Sequence, residues 1–189
     1  DEQTDDEDDQ DGPSDERELL LYRVKSKGYA LEYAAEEFKN DREIALAAVR
    51  SYGVALQYAS DKLKNDREGY ETFWMEFGPV IKEGYHYDPT NKDRLSSIAL
   101  WRSTNGEGWT TLSEYVERMK EGQDEIYVLV GKSLETLREA PQLEVFAKKG
   151  VEVLLLTDHV DEFILGTLTE FDEKKTNDVA RGQVDLSAV

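Results

Sequence analysis

Cysteine is absent from this 189-residue chain, and histidine occurs only twice, at His86 and His159. Without cysteine the chain has no disulfides, thiolate metal ligands or cysteine nucleophiles, and two histidines argue against a multi-histidine zinc site. No apolar run approaches the roughly 18 residues that a membrane-spanning helix requires. The first residues are acidic, whereas a secretory signal is basic and then apolar. We therefore predict a cytoplasmic protein with no metal, no cofactor and no membrane association.

Basic residues are also few, with 23 lysines and arginines against 42 acidic residues, so the formal net charge is −19. A chain this acidic repels phosphate backbones, which predicts no binding to nucleic acid. Residues 1–18 hold eleven acids, one base and no apolar side chain. Such a segment cannot repay the entropy of ordering, so we predict a disordered acidic tail over 1–18. Its role is left open between a solvated spacer and an acidic docking tail.

An internal repeat with a period of 25 follows the tail. Residues 24–43 and 49–68 are identical at twelve of twenty aligned positions, including the run KNDRE that closes each copy. In the first copy, Leu31, Ala34, Ala35 and Phe38 have the spacing of one helical stripe. Asn40 is then the predicted cap of the next helix. We predict two helix–turn–helix repeats over 19–68.

Residues 69–189 mix helical and strand patterns. Tyr70, Phe73, Trp74 and Phe77 form an apolar helical stripe, and two apolar runs separated by a helical segment predict a parallel strand pair with a right-handed crossover. The fold class is therefore α/β (mixed α+β), with N-terminal helical repeats and then an α/β/α sandwich containing a short parallel sheet. The predicted elements are helices over 92–102, 112–120, 133–149 (interrupted at Pro141) and 160–168, and strands over 125–130, 151–156 and 178–180.

Several long motifs in this second half resemble the heat-shock protein 90 chaperone family, in particular its bacterial HtpG type. The resemblance is collinear and covers 69–186, whereas residues 24–68 resemble a short helical-repeat family of unknown function. The matching strings are FWMEFG at 73–78, IKEG at 81–84, RST at 102–104, LSEYVERMKEGQ at 112–123, EIY at 125–127, PQLE at 141–144, KKGVEVL at 148–154 and LTEF at 168–171.

The resemblance implies the later, smaller α/β/α part of that family's middle domain. The family's ATP-binding domain, catalytic arginine loop and dimerisation domain have no counterpart among the matching motifs of this sequence. We therefore expect no enzyme activity, and a monomer that binds client or partner proteins. The expected function is a non-catalytic, chaperone-derived module that binds unfolded proteins; the alternative is a structural or scaffold fusion whose repeats bind a partner but which binds no client.

One site follows from the resemblance. The family's acidic–aromatic client-contacting stretch, Asp-Glu-Trp, matches Asp161-Glu162-Phe163, with phenylalanine in place of tryptophan and so without an indole donor. Val160, Ile164 and Leu168 suffice to fix a helix capped by Asp158, which predicts an exposed Phe163. A third hypothesis, an enzyme that uses Asp158, His159 and Asp161, is weaker, because a helix cap followed by acidic residues explains the same letters.

Overall fold

In the computed structural model, which describes residues 15–58, 66–87, 89–181 and 184–189, the chain divides into two units between Ser60 and Asp61. The sequence predicted this boundary at 68/69. The division lies earlier because the second KNDRE run leads into the long helix of the second unit. Asp66 caps that helix by accepting a hydrogen bond from the Gly69 amide at 3.1 Å. The rest of the predicted second repeat, 59–65, lies outside the described residues.

The first unit begins with a helix inside the segment that was predicted to be disordered. Helix α1 spans Glu16–Ser26 and is capped by Asp15, so the predicted tail over 1–18 is wrong for 16–18, and its residues 1–14 lie outside the described part of the chain. The physical reason is tertiary: Arg17 pairs with both Asp41 and Glu43, each at 2.7 Å. The remaining elements are a 3-10 helix Gly28–Tyr33, α2 Glu36–Lys39, α3 Arg42–Ser51 and a 3-10 helix Gly53–Tyr58.

The single helix predicted through Leu31 and Phe38 is two pieces. A 3-10 helix places side chains three residues apart on one edge, and it buries Gly28 and Leu31 together against α3. Asn40 does not cap α3. Asp41 does, accepting from the amides of Glu43 and Ile44 at 2.9 and 3.2 Å.

The second unit is a mixed α/β fold, as predicted. Its elements are α4 Arg67–Lys82, α5 Gly84–Tyr87, a 3-10 helix Pro89–Asn91, α6 Lys92–Ile98, β1 Trp101–Ser103, β2 Trp109–Thr110, α7 Leu112–Glu117, β3 Glu125–Val130, α8 Leu134–Arg138, α9 Leu143–Lys149, β4 Leu154–Leu156, α10 Asp161–Ile164, β5 Glu170–Phe171 and β6 Lys174–Asp178. The strands form one sheet in the order β2-β1-β4-β3-β6-β5, with β3 parallel to both β4 and β6 and the other pairs antiparallel.

The core lies on both faces of β3 and β4. Tyr127, Leu129 and Leu155 face a cluster that includes Leu137 of α8 and Phe146 of α9. The alternate residues of the same strands, Ile126, Val128, Leu154 and Leu156, are also buried. Burial on both faces explains why these strands are apolar throughout. The predicted parallel pair and the predicted interruption of the helical segment at Pro141 are confirmed.

Several boundaries in the second unit were predicted wrongly. The helix predicted over 112–120 ends at Glu117, the strand predicted over 151–156 begins at Leu154, and the helix predicted over 160–168 is the single turn Asp161–Ile164. The helix predicted over 92–102 ends at Ile98, because Trp101 and Arg102 enter the sheet between β2 and β4. The predicted closing strand 178–180 is Lys174–Asp178, which pairs with β3. Within the described residues, no helix combines the length and the apolar character needed to cross a bilayer.

Candidate functional site

The three residues predicted to contact clients lie on and beside α10, a single helical turn that follows β4. Phe163 is 68% exposed and Glu162 is also exposed. Ile164 and Leu168 are buried, and Val160 is partly buried. This confirms the prediction that these apolar residues anchor the turn while Phe163 points to solvent. Asp161, in contrast, is completely buried, so its place among the surface contact residues is wrong.

Asp161 is buried because it belongs to an ionic cluster with Lys82 and Asp158. Lys82 Nζ lies 2.9 Å from Asp161 Oδ1 and 2.8 Å from Asp158 Oδ2. The second carboxylate oxygen of Asp161 accepts the Asp158 amide at 2.8 Å. The lysine, itself buried, also lies over the Trp101 ring, with Nζ 4.3 Å from the centroid. This cluster joins the end of α4 to the turn that presents Phe163.

The cluster replaces the cap that the sequence predicted. Asp158 does not cap a helix over 160–168; the turn begins after Val160, and the Asp158 side chain pairs with Lys82 instead. Burial raises the pKa of the Asp161 carboxyl, and the Lys82 ammonium opposes that rise. A buried carboxylate is tolerated only with such a partner. The geometry therefore fixes the turn and leaves neither carboxylate free for acid–base work.

An aromatic patch, which we define as His86, Tyr87, His159 and Phe163, surrounds a shallow cavity of about 310 Å³ next to this cluster. Tyr87 is 78% exposed. The His86 ring contacts both neighbours, with its centroid 5.0 Å from Tyr87 and 6.5 Å from Phe163. The exposed carboxylate of Glu83 lines the same cavity, and the exposed Glu162 immediately precedes Phe163 in the sequence. The result is a concentrated apolar surface with a negative rim.

Sequence reasoning missed most of this patch. His86 and Tyr87 come from α5, and they meet Phe163 only through the fold. The one signal in the sequence was the aromatic run Tyr85-His86-Tyr87, of which Tyr85 is buried and the other two residues are exposed. Lys82 carried no signal, because a lone lysine on a helix is ordinarily solvated.

The structure does not favour the enzyme hypothesis built on Asp158, His159 and Asp161. Both carboxylates are bound to Lys82, and His159 lies in the aromatic patch. Within the described ranges, no three histidine or carboxylate side chains are grouped so that they could hold a metal ion.

Comparison with known proteins gives two family matches, one mainly to each unit of the chain. Residues 55–189 match the family model described as Hsp90 protein, and residues 16–64 match a domain of unknown function, DUF4116. The second match starts at the residue where α1 begins.

Individual relatives point to the same family. The chaperone protein HtpG of Paramagnetospirillum magneticum is 50% identical over 120 residues, which are 64% of this chain and 19% of that protein. The HtpG of Chromobacterium violaceum is 49% identical over 125 residues, 65% of this chain and 20% of that protein. The chain therefore spans about a fifth of the length of the curated relatives it matches.

A solved structure supports the fold. The middle domain of a heat shock protein from Plasmodium falciparum matches with a TM-score of 0.63 and 27% identity, covering 72% of this chain and 59% of that chain. The mixed sheet and its helices are thus those of an Hsp90 middle domain. On the match of the family model to residues 55–189, this chain belongs to the Hsp90 protein family.

Proposed function

We propose that the chain is a non-catalytic chaperone module whose aromatic patch binds apolar, basic segments of incompletely folded proteins. The observation that carries the proposal is the exposure of Phe163 beside Tyr87, in a second unit whose other large aromatic side chains are mostly buried. Exposed apolar surface of this kind marks an interaction site. The same proposal places the protein in the cytoplasm, since a cysteine-free chain has no need of an oxidising compartment.

The chemistry of the patch suits weak and varied contacts. Phe163 and Tyr87 supply apolar area at a low cost in side-chain entropy, and the Tyr87 hydroxyl can hydrogen-bond at the edge. Glu83 and Glu162 favour lysine and arginine near the bound segment, because charge complementarity steers and orients partners. The resemblance to the family's acidic–aromatic stretch applies to Glu162 and Phe163, and Asp161 acts by holding the turn.

The proposal predicts opposite effects for two neighbouring substitutions. Phe163→Ala should lower the free energy of unfolding by less than about 1 kcal/mol, because the ring is largely in solvent. It should also weaken binding to reduced, alkylated lysozyme, a basic and permanently unfolded client, several-fold. Ile164→Ala should cost roughly 2–5 kcal/mol of stability through loss of a buried side chain. Urea denaturation and fluorescence anisotropy of the full chain measure the two effects.

The matched control is Val145→Ala, which removes a half-exposed apolar side chain from α9, a helix that contributes nothing to the patch. It should change neither stability nor client binding measurably. If Phe163→Ala unfolds the chain, or binds the client as well as Val145→Ala does, the patch is not the client site. The scaffold alternative would then be the better description.

A further inference from the structure

An open groove on the first helical repeat lies outside the function proposed above. This repeat groove runs between α1 and the segment 29–38, and it has a volume of about 300 Å³. Apolar and aromatic side chains dominate its lining, and Tyr33 is among the most exposed large apolar side chains described. The residues that line it are Glu16, Leu19, Leu20, Arg23, Tyr29, Ala30, Tyr33, Ala34, Ala35 and Phe38.

The corresponding surface of the second repeat differs from this groove in its exposure to solvent. Adding 25 to each residue number carries α1 onto α3, a correspondence that extends the repeat upstream to Glu16. Leu19 is 39% exposed, whereas its counterpart Ile44 is 0% exposed. Leu20 and Ala30 are partly exposed, whereas their counterparts Ala45 and Ala55 are buried. In the second repeat this face is covered, and in the first it is open.

The cover of the second repeat includes the first repeat itself. Helix α1 and the 3-10 helix Gly28–Tyr33 both pack on α3. Gly28 lies so close to α3 that a Cβ there would collide with the Ala48 carbonyl oxygen, and its amide donates to Ser51 Oγ at 3.3 Å. One repeat therefore receives the preceding repeat through this face, with glycine at the point of closest approach.

The acidic residues that form the ion pairs of this contact also have counterparts in the first repeat. Arg17 of α1 reaches the carboxylates of Asp41 and Glu43 at the start of α3, each at 2.7 Å. The counterparts of these two acids are Glu16 and Glu18, at the start of α1. Within the described part of the chain, neither side chain has an ionic partner. The first repeat therefore exposes an apolar surface and a pair of acids. In the second repeat, the corresponding surface packs against the preceding repeat, and the corresponding acids bind Arg17.

We propose that the repeat groove docks a helical repeat of this same type from a partner protein. The docked helix carries an arginine in its first turn, which pairs with Glu16 and Glu18. A glycine follows that helix and approaches α1 near Arg23. Arg23 stands where the second repeat has Ala48, and its exposed, flexible stem can move aside while its charge stays in water.

The test uses the full chain and a labelled peptide with the sequence of residues 15–39, in which Glu16→Gln and Glu18→Gln prevent the peptide from receiving a copy of itself. Fluorescence anisotropy should show saturable binding to the chain. Glu16→Arg/Glu18→Arg in the chain should weaken that binding roughly tenfold or more, as expected for lost charge pairs. A peptide that also carries Arg17→Glu should bind the wild-type chain equally weakly and should regain affinity for the charge-reversed chain.

Two further measurements test which molecule occupies the groove and whether the groove of the first repeat corresponds to the covered face of the second. Sedimentation of the full chain should give one species whose size does not change with concentration; dimers that Glu16→Arg/Glu18→Arg dissociates would make a second copy the occupant and overturn the proposal. Arg23→Ala restores the residue of the second repeat and should bind the peptide at least as tightly. Weaker binding by that variant, or no saturable binding by the wild-type chain, would also overturn it.

Discussion

Lys82→Met should lower the free energy of unfolding by roughly 3–5 kcal/mol, the cost of leaving a buried charge without its partner. Methionine fills the space of the lysine stem, so the loss falls on the ionic cluster. The substitution leaves Asp161 completely buried with no cation near it. Burial raises the pKa of Asp161, and without Lys82 the main remaining opposition to that rise is the hydrogen bond from the Asp158 amide. The deficit should therefore be small at pH 4, where Asp161 can take a proton, and should grow as the pH rises toward 7.

The matched control is Lys148→Met. Lys148 also pairs with a carboxylate, Glu144, but at 3.8 Å and with both side chains largely in solvent. Exposed pairs of this kind contribute 0 to about 1 kcal/mol. Urea denaturation at pH 4 and pH 7 separates the two lysines. The double variant Lys82→Met/Asp161→Leu should recover much of the loss, since it removes both buried charges. A Lys82→Met variant as stable as Lys148→Met would contradict the assigned cluster.

Trp74→Ala should cost roughly 3–5 kcal/mol, the range found when a large aromatic side chain is removed from a packed core. Trp74 is 1% exposed, and its indole is packed on the backbone of Gly78, where a Cβ would come within 2.7 Å of Nε1. In the FWMEFG motif, which resembles the chaperone family, Gly78 therefore leaves room for the Trp74 indole to pack.

Met75→Ala is the natural comparison, because Met75 is the next residue of the same helix and is 60% exposed. It should change the unfolding free energy by no more than about 0.5 kcal/mol. Circular dichroism during urea titration measures both variants, and equal m-values would show that the same unfolding transition is compared. Similar losses for the two variants would mean that α4 does not present its apolar stripe to the core as described.

Local patterns were enough to predict much of the second unit. Apolar strands β3 and β4 and the helices between them follow from periodicity and from residues close in sequence. The exposure of Phe163 was predictable for the same reason. Ile164 and Leu168 already satisfy the anchoring of that turn, so a further apolar residue beside them must face outward.

The remainder depended on partners far along the chain. The burial of Asp161 requires Lys82, which lies 79 positions away, and no local rule links them. The first turn of helix α1 was predicted as part of the tail because it is acidic, yet Arg17 in that turn is held by Asp41 across 24 positions. In both cases a charged residue that should prefer water is recruited by an opposite charge that only the tertiary fold supplies.

The duplicated KNDRE run has a consequence for how such a chain can be assembled. The last three letters of this run cap and begin α3 in the repeat unit and α4 in the Hsp90 unit, and in each place the aspartate, Asp41 or Asp66, is the cap. A genetic exchange with its crossover inside this pentapeptide leaves a complete helix start on whichever side it falls. Gain or loss of a repeat by such an exchange would therefore leave the capped start of α4 unchanged.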